Sequence, residues 1–193
     1  RRMRVTGWSH RCAATPRDYR SANAGKRPPW NGCIGPDDFP AGLVANLEKK
    51  FYPLESGMPR GAWRAPVHTF QAFAVQCFID EIAVATKQDA LKLRLDLLGE
   101  PRRIPYQGHG GPSFDTGRLA NVLKIVAERI GWGERRRDGH GLGLACHYTF
   151  GGYAAHAFEV SVEGSELRIH RAVCAADIGR VVNPLGVEAQ MMG

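Results

Sequence analysis

The sequence predicts an α+β fold, helices packed against an antiparallel sheet, and three features carry that expectation. Apolar residues recur at helical spacing through the middle of the chain, from Thr69 to Ile130. Strict apolar–polar alternation takes over in the last third, around Gly164-Ser165. The composition, 44% hydrophobic and 23% charged over 193 residues, belongs to a packed chain and excludes a disordered one. A chain of this length buries about 70% of its unfolded surface and needs no metal or disulfide staple to fold.

Residues 1–50 are loosely patterned. Ser21 to Pro40 carries Gly25, Pro28, Pro29, Gly32, Gly35, Pro36 and Pro40, which predicts a long loop. So long a loop is unusual inside one compact domain, and it is better explained as a crossing between two. The division expected is 1–60 for the end of one domain and 61–193 for part of the next. Phe70, Ala74, Cys77, Phe78, Glu81, Ile82 and Ala85 predict a helix over 69–86, apolar on most sides and expected to be deeply buried. Asp89 is placed to cap a second helix, whose Leu91, Leu95 and Leu98 share a face and which Gly99 ends. Pro101 to Pro112 is rich in glycine and proline and reads as another loop. Asp115 caps a third helix, with Leu119, Val122, Leu123, Val126 and Ile130 on one stripe and Gly131 after it.

Leu142 to Phe150 predicts a strand running into Gly151-Gly152. Phe158, Val160 and Val162 then alternate with polar residues, and Leu167, Ile169, Arg171 and Val173 alternate on the return, which makes a hairpin. Asn183 stands as an N-cap with Pro184 at the first helical position, so a helix carrying Glu188 and Gln190 should begin there.

The net charge is +7, from 26 Lys and Arg against 19 Asp and Glu, but the basic residues are scattered. The densest run, Glu134-Arg135-Arg136-Arg137-Asp138, is expected in a solvated or partner-facing loop between Gly133 and Gly139, and no nucleic-acid motif or aromatic–basic ladder accompanies it. The five cysteines lie more than four residues apart, so no CxxC signature exists, and buried thiols are expected at Cys77, Cys146 and Cys174. The seven histidines form no HxH or HExxH pair and read as surface or core residues rather than ligands. Gly139-His140-Gly141-Leu142-Gly143 precedes a strand, not a helix, so it predicts a turn rather than a phosphate loop. No run of about 18 apolar residues occurs, so no membrane-spanning helix is expected. The chain begins at Arg1 without an apolar leader, and nothing in it assigns a cytoplasmic or a periplasmic compartment.

Three places are less ordinary: Gly61-Ala62-Trp63-Arg64-Ala65-Pro66, Phe150-Gly151-Gly152-Tyr153, and Asp177 to Gln190. Each has a plain structural reading as turn, bulge or capped helix. Each could also bring a cation, a bare backbone or a helix end to a ligand.

Taken in order, GAWRAP, FQAFAVQCFIDEIA, DALKLRLDLL, FGGYAAHAFEVSV and DIGRVVNPLGVEAQMMG resemble the molybdenum hydroxylases (the xanthine dehydrogenase and aldehyde oxidase family). The resemblance is to their large molybdopterin-binding subunit, of the isoquinoline 1-oxidoreductase and aldehyde dehydrogenase type. It covers about Phe51 to Gly193. It implies a molybdenum–pterin cofactor, in the cytosine dinucleotide form, held between two large α+β domains. It further implies hydroxylation of an N-heterocycle or aldehyde with oxygen from water, and a small partner subunit with [2Fe–2S] clusters that takes the electrons.

Residue by residue, the resemblance sets Arg64 in the arginine-bearing loop near the molybdenum pocket, where a positive charge stabilises a developing oxyanion. It sets Gly151, Gly152 and Tyr153 in a glycine-bearing segment near the cofactor, and Gln190 and Gly193 on the helix segment facing the pterin. The family's general-base glutamate falls in a Gly-Glu motif beyond Gly193, so these 193 residues are expected to form an internal fragment, inactive alone. The rival reading is a degenerate, non-catalytic paralogue that binds or assembles. In isolation the chain is expected to expose apolar surface and to bind a hydrophobic dye. A monomer that melts cooperatively and leaves the dye dark would contradict this.

Overall fold

The computed structural model describes residues 4–17, 25–58, 64–65, 67–106 and 113–193. Eleven elements are assigned within them: β1 Gly7–Ala14, β2 Asn46–Pro53, α1 His68–Thr86, α2 Ala90–Leu98, β3 Arg103–Pro105, β4 Ser113–Asp115, α3 Thr116–Ile130, β5 His140–Thr149, β6 Gly152–Glu163, β7 Glu166–Asp177 and α4 Pro184–Met192. The class is α+β, as the periodicities require.

Strands β5, β6 and β7 form an antiparallel sheet in chain order, and α3 packs across all three. Tyr153, Ala155 and Ala157 of β6 meet Leu119, Leu123, Val126 and Ile130 of α3 in the main core, which Leu144 and Cys146 of β5 complete. A second cluster joins Trp8 of β1 to Val75, Ile79 and Ala83 of α1 and to Leu93 and Leu97 of α2.

The helix ends follow their residues. The Asp89 carboxylate accepts the Lys92 N–H at 2.7 Å, and that of Asp115 accepts from Gly117 and Arg118. Gly131 ends α3 in the left-handed region, at φ 76°. The Asn183 side chain accepts the Gly186 N–H at 3.2 Å, with Pro184 in the first turn.

Several expectations are corrected. Residues 1–50 are not merely loop: β1 and β2 pair in parallel from Gly7 opposite Asn46 to Ala14 opposite Pro53. A parallel pair needs a long connection, and the glycine- and proline-rich stretch serves as that crossover. From Gly25 onward it is folded into turns, and Lys49 of β2 donates to the carbonyls of Gly35 and Pro36 at 2.8 and 3.1 Å. Ser21 to Ala24, and the expected boundary at 60/61, lie outside the described residues.

Helix α1 is not deeply buried. Its stripe of His68, Gln71, Val75, Ile79 and Ala83 is covered, while Phe73 is 73% exposed and Phe70, Phe78 and Val84 also face out. The helix is apolar all round, but α2, β1 and β5 reach only one side of it. Cys77 and Cys174 are exposed rather than buried, while Cys146 is buried as expected. Burial raises the Cys146 thiol to about 12. Arg136 is likewise not a solvated loop residue. Its guanidinium donates to the Ile130 carbonyl at 2.6 Å and caps the negative end of α3. Finally, the loop before α3 contains the short pair β3–β4, on either side of residues that lie outside the description.

Candidate functional site

The two polar side chains singled out most strongly in the sequence meet. Arg64 Nη1 donates to Gln190 Oε1 at 2.6 Å, across 126 residues of chain. Both side chains are exposed. A guanidinium has five N–H donors, so one bond to an amide leaves donors to offer.

Gln190 is brought there by a chain of local causes. Arg118 on α3 holds the Asp177 carboxylate with two bonds, Nε to Oδ2 at 2.7 Å and Nη2 to Oδ1 at 2.6 Å. Those bonds keep the Asp177 carboxyl below the usual carboxylate range and set the direction in which β7 leaves the sheet. Gly179, at φ 81°, turns the chain, and the Asn183 cap starts α4. No residue of α4 is buried, so its position rests on its entry and on contacts such as that to Arg64.

Gly151 and Gly152 lie beside this exit. Phe150 and Gly151 form a two-residue turn, both left-handed at φ 51° and 76°, closed by the Thr149–Gly152 pair. A Cβ on Gly152 would stand 3.4 Å from Ile178, so the turn and the strand-to-helix exit are neighbours. Thr149 Oγ1, directly before the turn, is buried with no hydrogen-bond partner.

Tyr153 is placed differently. It is 2% exposed in the main core, its ring 4.3 Å from the Arg118 guanidinium and its hydroxyl accepting the Asp115 N–H at 2.9 Å. It supports the site from below, because odd-numbered residues of β6 face α3. Gly193 closes α4, its N–H donated to the Ala189 carbonyl, with φ 101°. Gly61 to Trp63 and Pro66 of the arginine loop lie outside the described residues.

The structure adds two residues that the sequence reading left among scattered histidines. His68, the first residue of α1 and 5% exposed, bonds through Nδ1 to Nε2 of His147 on β5 at 3.1 Å. The ring of Phe150 stands edge-on to His68 at 5.6 Å. Burial, with the second imidazole as a smaller cause, lowers His147 to about 4. No local motif marks this pair, because its members are 79 residues apart and meet only when α1 packs on β5. On one side of it lies a cavity of about 30 Å³, lined by Gln71, Tyr106 and Tyr148 among others. On the other is an open apolar trough of about 390 Å³ between α1 and the sheet, lined by Phe73, Cys77, Ala145 and Phe158. Among the described residues no helix is long and apolar enough to cross a membrane.

Residues 121–193, from the middle of α3 through α4, match the molybdopterin cofactor-binding domain family. A nicotinate dehydrogenase subunit of Pseudomonas putida is 29% identical over 154 residues, covering 69% of this chain and 12% of that protein. The beta subunit of isoquinoline 1-oxidoreductase of Brevundimonas diminuta is 32% identical over 126 residues, covering 63% of this chain and 14% of that protein. The chain thus spans only a small part of the length of these curated relatives. It is similar to the molybdopterin-binding subunits of the molybdenum hydroxylases, and the glycine turn, α4 and Gln190 all lie within the matched residues 121–193.

Proposed function

We propose that this chain is a cofactor-contacting portion of a molybdenum hydroxylase large subunit, with residues 1–60 ending one cofactor-binding domain and 61–193 belonging to the next. The observation that carries this reading is the meeting of Arg64 and Gln190 across 126 residues of chain. The donor set suits a molybdopterin. A guanidinium and a primary amide can pair with a phosphate and the amide edge of a pterin, and the orphaned Thr149 hydroxyl beside the turn has hydrogen-bonding capacity to spare.

When bound, the molybdenum cofactor supplies the redox chemistry, which adds oxygen from water to an electron-poor carbon. Arg64 then binds and orients an anionic or developing negative group, an electrostatic role that needs no proton transfer. Gln190 holds Arg64 on one side and offers its N–H₂ to the pterin edge on the other. Gly151 and Gly152 let backbone approach closely, and Gly193 ends the same helix. Tyr153 acts as a positioning residue beneath them. The substrate class proposed is an N-heterocycle or aldehyde; two relatives are named for N-heterocyclic substrates. The cofactor proposed is the cytosine dinucleotide form, with electrons passing to a small partner carrying [2Fe–2S] clusters. The general base is expected from sequence outside these residues, so the 193 residues alone should be inactive.

The test is cofactor retention. Arg64→Ala and Gln190→Ala, made in the assembled subunit, should each lower bound molybdenum about tenfold under dilution, as expected for losing a charge-assisted hydrogen bond. Lys92→Ala, on the far surface of α2, serves as the control. Wild-type molybdenum content in both site variants would sink the reading.

A further inference from the structure

We propose that His68 and His147 are a positioning pair that shares a single N–H between two imidazoles and locks the Arg64 segment to the Phe150–Gly151 turn. The proposal rests on the reading of Arg64 as cofactor-facing and adds the device that holds it in place.

The geometry is specific to this junction. His68 begins α1 four residues after Arg64, and its own N–H returns to the Ala65 carbonyl at 2.9 Å. His147 sits three residues before Phe150 on β5. The imidazole–imidazole bond is therefore a polar link between the end of the arginine loop and the end of the strand that leads into the glycine turn. Two non-glycine residues in the left-handed region flank it, Ala65 at φ 52° on one segment and Phe150 at φ 51° on the other. Such conformations cost free energy for residues with a Cβ and persist where surrounding contacts over-determine them. Packing of the Phe150 ring against His68 supplies one such contact, and the imidazole bond supplies the other.

The bond needs one N–H and one bare nitrogen. A neutral or singly protonated pair satisfies it, whereas a doubly protonated pair sets two donors against each other. Across the small cavity the ionisable groups facing the pair are Asp37, Asp38, Tyr106 and Tyr148. Across the trough they are Cys77, Asp80, Cys146 and His156. The lowered His147 value fits a pair that stays hydrogen-bonded at neutral pH. The sign follows from that direction. The unfolded histidine takes up its proton first, so the stability the pair contributes is complete above about 6.5 and is lost as pH falls towards about 4.

Hydrogen exchange of the full chain, corrected for intrinsic rates, tests this together with molybdenum content. His147→Leu keeps the volume and removes the bond, so amides of residues 67–71 should exchange about tenfold faster at neutral pH while α3 is unchanged. His68→Asn combined with His147→Gln replaces Nδ1 and Nε2 by amide groups that do not titrate. That double variant should keep the protection at neutral pH and lose the acid step between pH 6.5 and 4 that is expected of the wild type. If His147→Leu fails to fold, the double variant decides alone. Wild-type protection in His147→Leu, or an acid step that persists in the double variant, overturns the proposal. If protection follows the pair while molybdenum content does not, the pair stands and the cofactor-facing reading of Arg64 falls.

Discussion

Replacing Arg94 by alanine is expected to lower the unfolding free energy by about 2–4 kcal/mol, from lost packing and from acceptors left dry. Arg94 is 2% exposed, and one guanidinium serves two helices. Its Nε donates to Gln76 Oε1 at 2.8 Å, its Nη2 to the Gln76 carbonyl at 3.0 Å, and its Nη1 to Asp80 Oδ1 and the Ala90 carbonyl at 2.8 and 3.1 Å. Gln76 Oε1 also accepts the Cys146 N–H at 3.4 Å, so the network joins α1, α2 and β5. Asp80 is half exposed and can return to water when Arg94 is removed. Gln76 Oε1 is buried and would keep only the longer Cys146 bond, so that lost partner and the lost packing of the arginine stem make up the larger part of the loss. Arg94→Met, which keeps the apolar stem, should lose less. Urea unfolding followed by tryptophan fluorescence measures both. A loss below about 1 kcal/mol for the alanine variant would mean that water replaces the guanidinium and that the network is not a staple.

Tyr153→Ala should cost about 3–5 kcal/mol, the range for truncating a buried aromatic. Tyr153→Phe should cost only about 1 kcal/mol, for the bond from the Asp115 N–H. The ring packs against Tyr148 at 4.8 Å between centroids and beneath Arg118, the residue that anchors Asp177 and hence the exit to α4. The phenylalanine variant should therefore hold molybdenum as well as the wild type does. A stable phenylalanine variant that loses molybdenum would instead put the hydroxyl in contact with the cofactor.

Much of the fold is legible without coordinates. The caps at Asp89, Asp115 and Asn183 act over two or three residues, and the alternation of β6 and β7 is a local period, so both are written in short stretches of sequence. The β1–β2 pair escapes such reading because its partners are 39 residues apart and parallel pairing leaves no turn signature. Tyr153 shows the same limit within the site. Its neighbours Gly151 and Gly152 mark the place, but the parity of the strand decides that the ring points to α3.

By itself the sequence determined the α+β class, four helices and the N-caps of three of them, the hairpin, and the stretches around Arg64, Gly151 and Gln190 that resemble a molybdopterin subunit. Each of these depends on residues close together in the chain. Tertiary structure alone decided that Arg64 meets Gln190, that His68 meets His147, that Arg118 seizes Asp177, and which side of α1 is covered. Those outcomes depend on how α1, α3 and the sheet are stacked. Hydrogen-bond reach is about 3 Å, while the partners lie 59 to 126 residues apart in the chain, so only packing of the elements can bring them together.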